Sequence, residues 1–242
     1  MSSHTPSNHA LELRDVTKTY GTVHALDRVS LQVPRGTFLA VMGPSGSGKS
    51  TLLQCAAGLD VPTSGQVLIG GREISGLNET RRTLVRRDAV GFVFQSYNLL
   101  PSLSVRENIT LPLRLAGTEG DRAWLDRVVD RIGLRPFLER RPAELSGGQQ
   151  QRVAIARSLA ARPEVVFADE PTGALDAHTA SDVLGLLRDL VDDFGQTVVM
   201  VTHDPRAAHR AHATVVVADG RIREYLAAPT AETLAGSLVG AR

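Results

Sequence analysis

Apolar and polar positions alternate in the first part of the chain. Residues 11–16 (LELRDV) and 29–33 (VSLQV) carry apolar side chains at nearly every second place, as strands with one buried and one wet face do. Residues 66–69 (QVLI), followed by Gly70 and Gly71, add another strand and its turn. A small antiparallel sheet is the expectation. Elsewhere the apolar runs are short and almost unbroken, at 38–42 (FLAVM), 91–94 (GFVF), 165–168 (VVFA) and 197–202 (TVVMVT), which is how strands buried on both faces read. Between the last two, Val183, Leu186, Leu187, Leu190 and Val191 share one side of a helix, so strand, helix and strand follow in the order of a parallel sheet. From Gln95 to Ala160 strand patterns nearly vanish, and Trp124, Leu125, Val128, Val129 and Ile132 recur at helical spacing. A helical lobe is predicted over about 96–160. The expected limits are a disordered tail over 1–10, one α/β domain over 11–226, and a short tail with one weak helical stretch over 227–242.

The run at 38–42 leads into GPSGSGKST, residues 43–51, which fits G-x-x-x-x-G-K-S/T with Gly43, Gly48, Lys49 and Ser50 at the fixed places. Residues 50–57 then read as a helix stopped by Gly58. Gly43, Gly46 and Gly48 lack Cβ atoms, so the backbone through Pro44, Ser45 and Ser47 can turn its N–H groups inward at the positive end of a helix dipole. The product is an anion cradle. Lys49 would reach the β and γ phosphates of a nucleoside triphosphate, the Ser50 hydroxyl would join a Mg²⁺ shell, and Thr51 completes the candidate nucleotide contacts. A merely flexible glycine-serine loop would need neither the strand before it nor the helix after it.

Further chemistry gathers at strand ends. Asp169 and Glu170 close the run at 165–168, where open α/β sheets hold their ligands. Asp169 would hold Mg²⁺, and Glu170 would orient and deprotonate the water that attacks the γ phosphate, a task worth roughly 10²- to 10⁴-fold in rate. A competing reading makes the two acids a helix cap with Pro171 in the first turn. His203 follows 197–202 in the same way and is a candidate partner for the γ phosphate or the water. Gln95 ends the strand at 91–94 where the helical lobe begins, so it could sense Mg²⁺ on one side and move the lobe on the other. Tyr20 could stack on the adenine, although an isolated tyrosine is more often packing. A second glycine-rich segment, LSGGQ at 145–149, opens a helix running through Arg157, and Ser146, Gly147, Gly148 and Gln149 make another anion site at its start. A capped surface helix would need only the serine.

Composition narrows the choices. At 242 residues and 42% hydrophobic content the chain can fill the core of one large α/β domain with a subsidiary lobe, and no second catalytic domain fits. Its 27 basic and 26 acidic residues nearly cancel, so no global field draws nucleic acid. The densest positive cluster, Arg81, Arg82, Arg86 and Arg87, reads first as a solvated helix face and second as an interaction surface. The single cysteine, Cys55, precludes an intrachain disulfide and suits a reducing compartment. The first ten residues lack the pattern of a secretory signal, and every apolar run falls far below the roughly 20 residues of a membrane helix. A membrane role would come through a partner.

Read together, GPSGSGKST, Gln95, LSGGQ, VVFADE at 165–170, Ala174, Leu175, Asp176 and His203 resemble the nucleotide-binding subunit of an ATP-binding cassette (ABC) transporter, over nearly the whole chain. The resemblance implies a P-loop NTPase α/β core with a mixed, largely parallel sheet, an antiparallel β subdomain and a helical subdomain. It implies ATP and Mg²⁺, ATP hydrolysis, and a homodimer or heterodimer in which the signature of one subunit covers the ATP held by the other. Tyr20 would then be the adenine-stacking aromatic, and Asp176 would lie in the loop crossing the dimer interface. The implied partner is a membrane permease, with the chain cytoplasmic and peripheral on the inner face of the membrane and with no nucleic acid involved. Residues 91–101 and 171–176 are similar to the branch of lipoprotein-release, macrolide-efflux and antimicrobial-peptide-resistance ATPases, where 96–105 would lie against the permease's coupling helix. Other readings are a cell-division or cofactor-assembly cassette that transports nothing, and a DNA-repair or chromosome-structuring ATPase. The latter would carry a coiled-coil or zinc insertion, and neither a long heptad run nor a second cysteine is present. A generic kinase or GTPase would leave LSGGQ without a purpose.

Overall fold

The structure is a computed structural model that describes residues 8–240. In chain order its strands are β1 (His9–Tyr20), β2 (Val23–Pro34), β3 (Phe38–Met42), β4 (Ser64–Ile69), β5 (Arg72–Glu73), β6 (Val90–Phe94), β7 (Val165–Asp169), β8 (Val198–Val201), β9 (Ala213–Ala218) and β10 (Arg221–Ala227). The helices are α1 (Lys49–Ala56), α2 (Glu79–Ala89), α3 (Val105–Ala116), α4 (Arg122–Ile132), α5 (Gly147–Leu159), α6 (Ala177–Phe194), α7 (Pro205–Ala208) and α8 (Ala231–Gly240).

Two sheets result. The first, in order β2-β1-β4-β5, is antiparallel throughout, as the alternating segments require. The second, in order β10-β9-β3-β8-β7-β6, is parallel except for β10, which turns back along β9. β3 is buried at all its positions, and its period of two divides the molecule. Leu39 and Val41 pack with α1 and the antiparallel sheet, while Phe38, Ala40 and Met42 pack with the helices of the opposite layer. No strand lies between β6 and β7 among the described residues; α3, α4 and α5 occupy that stretch.

Register delivers the strand ends to one edge. Val41 pairs with Val201, Val201 with Asp169, and Asp169 with Phe94, so β3, β8, β7 and β6 reach a common row. The residues beyond that row face the same side of the molecule because parallel strands terminate together.

Some expectations need correction. The expected N-terminal tail lies outside the described residues through position 7, but His9 and Ala10 belong to β1, and Ala10 is fully buried. At the other end, the helical stretch expected in the tail is α8, residues 231–240, and what the expectation lacked is its packing: Leu234 is fully buried. A short helix is marginal alone, and burying one leucine contributes about 2 kcal/mol toward holding it. The arginine cluster on α2 is only partly a wet face. Arg82 is buried, Arg82 and Arg86 both pair with Glu79, and Arg86 Nη1 also donates to the Gly58 carbonyl oxygen at 2.6 Å, tying α2 to the end of α1. Those hydrogen bonds from Arg86 and Arg82 hold the Glu79 carboxyl down to about 2. Asp169 and Glu170 do not cap a helix: Asp176 caps α6 instead. Cys55 is buried in α1, and burial pushes its thiol up to about 11.

Candidate functional site

The chain leaves β3 and turns through residues 43–48 into α1. Gly48, at φ 103°, starts the helix in a left-handed conformation, and a Cβ there would lie 2.4 Å from the Ala25 carbonyl oxygen at the start of β2. Among the described residues no side chain caps α1, so its first N–H groups are not satisfied by the usual local means. Ser47 is buried in the loop, and its hydroxyl has no hydrogen-bond partner among the described residues. Lys49 Nζ donates to the carbonyl oxygens of Gly43 at 2.8 Å and Pro44 at 2.7 Å.

Gly43, Pro44, Ser45, Gly46, Lys49 and Ser50 form one wall of a cavity of ≈ 480 Å³, and Asp169, Glu170 and His203 form another. Glu170 stands at φ 46°, a costly backbone for a residue with a Cβ. Its side chain is gripped on both oxygens. Oε1 accepts from the His203 backbone N–H at 3.0 Å and lies 2.6 Å from His203 Nδ1, while Oε2 accepts from the Thr202 hydroxyl at 3.2 Å. The electrostatics oppose one another across the cavity. Burial, followed by the neighbouring Glu170 charge, pushes the Asp169 carboxyl up, whereas Lys49 pulls it down. Burial lowers the Lys49 ammonium, and Glu170 and Asp169 resist that.

This donor set fits a polyphosphate with a hard divalent cation. The partnerless Ser47 hydroxyl, the uncapped helix start and the Lys49 ammonium all suit phosphate oxygens. Ser50 and Asp169 supply the few oxygen ligands that Mg²⁺ takes from a protein when phosphates and water complete its shell. Among the described residues no cluster of three or more His, Cys, Asp and Glu side chains could hold a metal by itself.

Several predicted residues lie elsewhere. Gln95 follows the strand-end row, but its amide rests against Gly173 and does not line the cavity. Thr51 sits on α1 next to Tyr20, which ends β1 with its ring half exposed. Ser146, Gly147, Gly148 and Gln149 do not line the cavity. They start α5 as a closed capping box: Ser146 Oγ accepts from the Gln149 N–H at 3.3 Å and Gln149 Oε1 accepts from the Ser146 N–H at 2.9 Å. Gln149 therefore has a local purpose, contrary to the expectation that the serine alone would suffice. Gly148 is so close to α6 that a Cβ would lie 2.3 Å from the Thr179 methyl. Asp176 caps α6, accepting from the Thr179 N–H at 3.0 Å and the Thr179 hydroxyl at 2.6 Å, and those bonds hold its carboxyl below the usual range.

The structure adds residues that the sequence did not single out. Leu238 and Val239 of α8 line the phosphate-sided cavity. Fully buried Gln151 of α5 donates to the Pro171 carbonyl oxygen at 2.5 Å, and Arg157 of the same helix donates to the carbonyl oxygens of Tyr97 at 2.8 Å and Asn98 at 2.6 Å. Tyr97 and Asn98 are both left-handed, at φ 52°, so α5 holds the strained turn after Gln95. A polar residue on the core side of an amphipathic helix was the available signal for Gln151, and the weak helical stretch of the tail was the signal for α8; Arg157 had none.

Comparisons with known proteins agree with this architecture. The sequence profile of the ABC transporter family matches residues 26–173. The chain is 46% identical over 220 residues to the macrolide export ATP-binding/permease protein MacB of Marinobacter nauticus, covering 88% of this chain and 34% of that protein. It thus spans about a third of the length of the macrolide-export relatives it matches. A relative of similar length is the uncharacterized ABC transporter ATP-binding protein MJ0796 of Methanocaldococcus jannaschii, 42% identical over 222 residues that cover 88% of this chain and 94% of the relative. A solved dimer of the MJ0796 cassette in a post-hydrolysis state, bound to ADP and Pi, superposes with a TM-score of 0.78 at 40% identity, covering 90% of this chain and 99% of that one. Among the described residues no helix is long and apolar enough to cross a membrane. With the family profile spanning most of the chain and the fold shared with solved cassettes, this protein belongs to the ABC transporter family, as an ATP-binding cassette.

Proposed function

We propose that the chain hydrolyses ATP at the cavity between the glycine loop and the strand ends, works as one half of a pair, and drives a membrane permease from the inner face of the membrane. The carrying observation is the common row of β3, β8, β7 and β6, which sets Lys49 and Ser50 opposite Asp169, Glu170 and His203. Lys49 neutralises charge on the β and γ phosphates, and the loop N–H groups orient them. Ser50 and Asp169, with Gln95 as a further candidate ligand, would hold Mg²⁺, and the ion would supply neutralisation of phosphate charge. Glu170 takes the proton from the attacking water as the water oxygen bonds to the γ phosphorus and the bond to ADP breaks. His203 and Thr202 keep the Glu170 carboxylate aimed, and the His203 ring is available to the γ phosphate. Tyr20 offers its ring to the base.

The signature supports pairing, because Ser146 to Gln149 lie outside the cavity of their own chain. Presented by a second cassette, the α5 start covers the phosphates from the open side, giving an interface with two equivalent sites in a homodimer. The solved MJ0796 relative is dimeric, which supports the same arrangement here. Glu170→Gln tests the assignment. ATP binding is retained, turnover falls by roughly 10²- to 10⁴-fold, and size-exclusion chromatography with ATP shows an accumulated dimer. Unimpaired hydrolysis by a species that stays monomeric would sink the reading.

A further inference from the structure

Tyr20 is an exposed aromatic, yet its position is tightly determined. Lys18 and Tyr20 lie at the end of β1, and both side chains meet the carboxylate of Asp60. The Tyr20 hydroxyl donates to Asp60 Oδ2 at 2.6 Å, and Lys18 Nζ donates to the other carboxylate oxygen, Oδ1, at 2.6 Å. Lys18 also lies 4.8 Å from the centre of the Tyr20 ring, within reach of a cation–π contact. One carboxylate thus clamps the tip of the ring and the ammonium over its face, while 47% of the tyrosine remains exposed.

The clamp is anchored to the phosphate side of the site. Asp60 N donates to the Gln54 carbonyl oxygen of α1 at 3.1 Å, and the turn carrying Asp60 is tied to β1 through Thr63 N to the Thr17 carbonyl oxygen at 2.8 Å and Thr19 N to Thr63 Oγ1 at 3.0 Å. Lys18 Nζ adds a bond to the Val61 carbonyl oxygen at 2.8 Å. Ring and phosphate helix therefore belong to one hydrogen-bonded unit. We infer that Asp60 and Lys18 are positioning residues of a base subsite: they hold one ring face of Tyr20 at a set distance from the glycine loop, ready to stack on the base of a nucleoside triphosphate. The inference rests on the ATP-binding reading. Asp60 bonding pushes the Tyr20 phenol up to about 12, so the hydroxyl stays a donor throughout the neutral range. Preorganising an exposed ring removes rotamer freedom before the ligand arrives, which is where the affinity gain comes from.

The test separates base from phosphate. ATP and inorganic tripolyphosphate, which has no base, are titrated against the full chain and against Tyr20→Ala, Asp60→Ala, Lys18→Met and Asp60→Asn, with folding checked by thermal melting. Tyr20→Ala should weaken ATP about tenfold or more, the size of a lost base–aromatic stack. Asp60→Ala and Lys18→Met should weaken ATP about three- to tenfold, raising KM with kcat unchanged, and leave tripolyphosphate unaffected. Asp60→Asn, which keeps an acceptor for the phenol, should recover part of the loss. If Tyr20→Ala weakens ATP while Asp60→Ala and Lys18→Met do not, the clamp is overturned and the nucleotide reading stands. If Asp60→Ala weakens ATP and tripolyphosphate alike, the clamp is also overturned, because the effect is not on the base. If the unaltered chain binds tripolyphosphate and ATP equally well, the base subsite itself is refuted.

Discussion

Two helices in this chain begin on glycine-rich segments, and they are built in opposite ways. The start of α1 has a left-handed Gly48 and, among the described residues, no side-chain cap and no partner for the buried Ser47 hydroxyl. The start of α5 has Ser146 in an ordinary extended conformation and a capping box closed on both sides by Gln149. Backbone shape holds the first in place, so its donors are left for a ligand. Side-chain hydrogen bonds complete the second, which uses two N–H groups internally and leaves the Gly147 and Gly148 amides outside the box. In the proposed function the first is a binding site within one chain. The second is a rigid helix end whose polarity is suited to finishing a site that another chain provides.

That contrast can be broken most severely at Gly48. Gly48→Ala sets a Cβ against the Ala25 carbonyl oxygen and forces an L-residue into φ 103°, a strain of about 1–3 kcal/mol before any clash. ATP binding by the isolated chain should fall by about tenfold to a hundredfold or vanish in a calorimetric titration, and near-normal binding would refute the claim that backbone shape makes the site. Ser146 permits a sharper cut. Ser146→Asp preserves an N-cap and so the stability, but opposes a partner's phosphates with a negative charge, costing about 1–4 kcal/mol for charges some 4 Å apart. ATP-driven dimerisation should collapse while the denaturation midpoint stays put. Ser146→Ala should do the reverse in emphasis, lowering stability by about 1 kcal/mol through loss of the cap; chemical denaturation measures it. If Ser146→Asp dimerises normally with ATP, α5 does not face phosphate.

The smallest effect concerns pH. Asp176, beside the α5 start, has its carboxyl held low by Thr179, whereas Asp169, in the cavity, is raised by burial and by Glu170. For Asp176 the folded value is depressed, so its contribution is present above the unfolded value near 3.9 and fades as pH falls through the folded one. The stability gap between the unaltered chain and Asp176→Asn should narrow on acidification. Carboxyl NMR titration should put Asp169 above and Asp176 below the ordinary aspartate range, and titration in the opposite order would remove this electrostatic side of the contrast.

Much of the fold was legible because it is written in neighbouring residues. Strand, glycine loop and helix at 38–57 needed only local periodicity and the absence of Cβ atoms, and Asp169, Glu170 and His203 announced themselves as polar residues closing apolar runs. The alternation in 11–16 and 29–33 likewise marked antiparallel strands, though it stopped short of their true ends because β1 and β2 contain register shifts that break the period.

Short-range chemistry, then, settled which helix starts exist and which side chains could be reactive. Three-dimensional packing chose their company. That Gln95 rests on Gly173 and away from the cavity, that Tyr20 meets Asp60, and that Leu238 and Val239 reach the phosphate-sided cavity all depend on contacts between distant parts of the chain. Hydrophobic periodicity tells a residue which face to bury. It carries no information about which neighbour will be waiting there, because burial is non-directional and partner choice follows from sheet order and register.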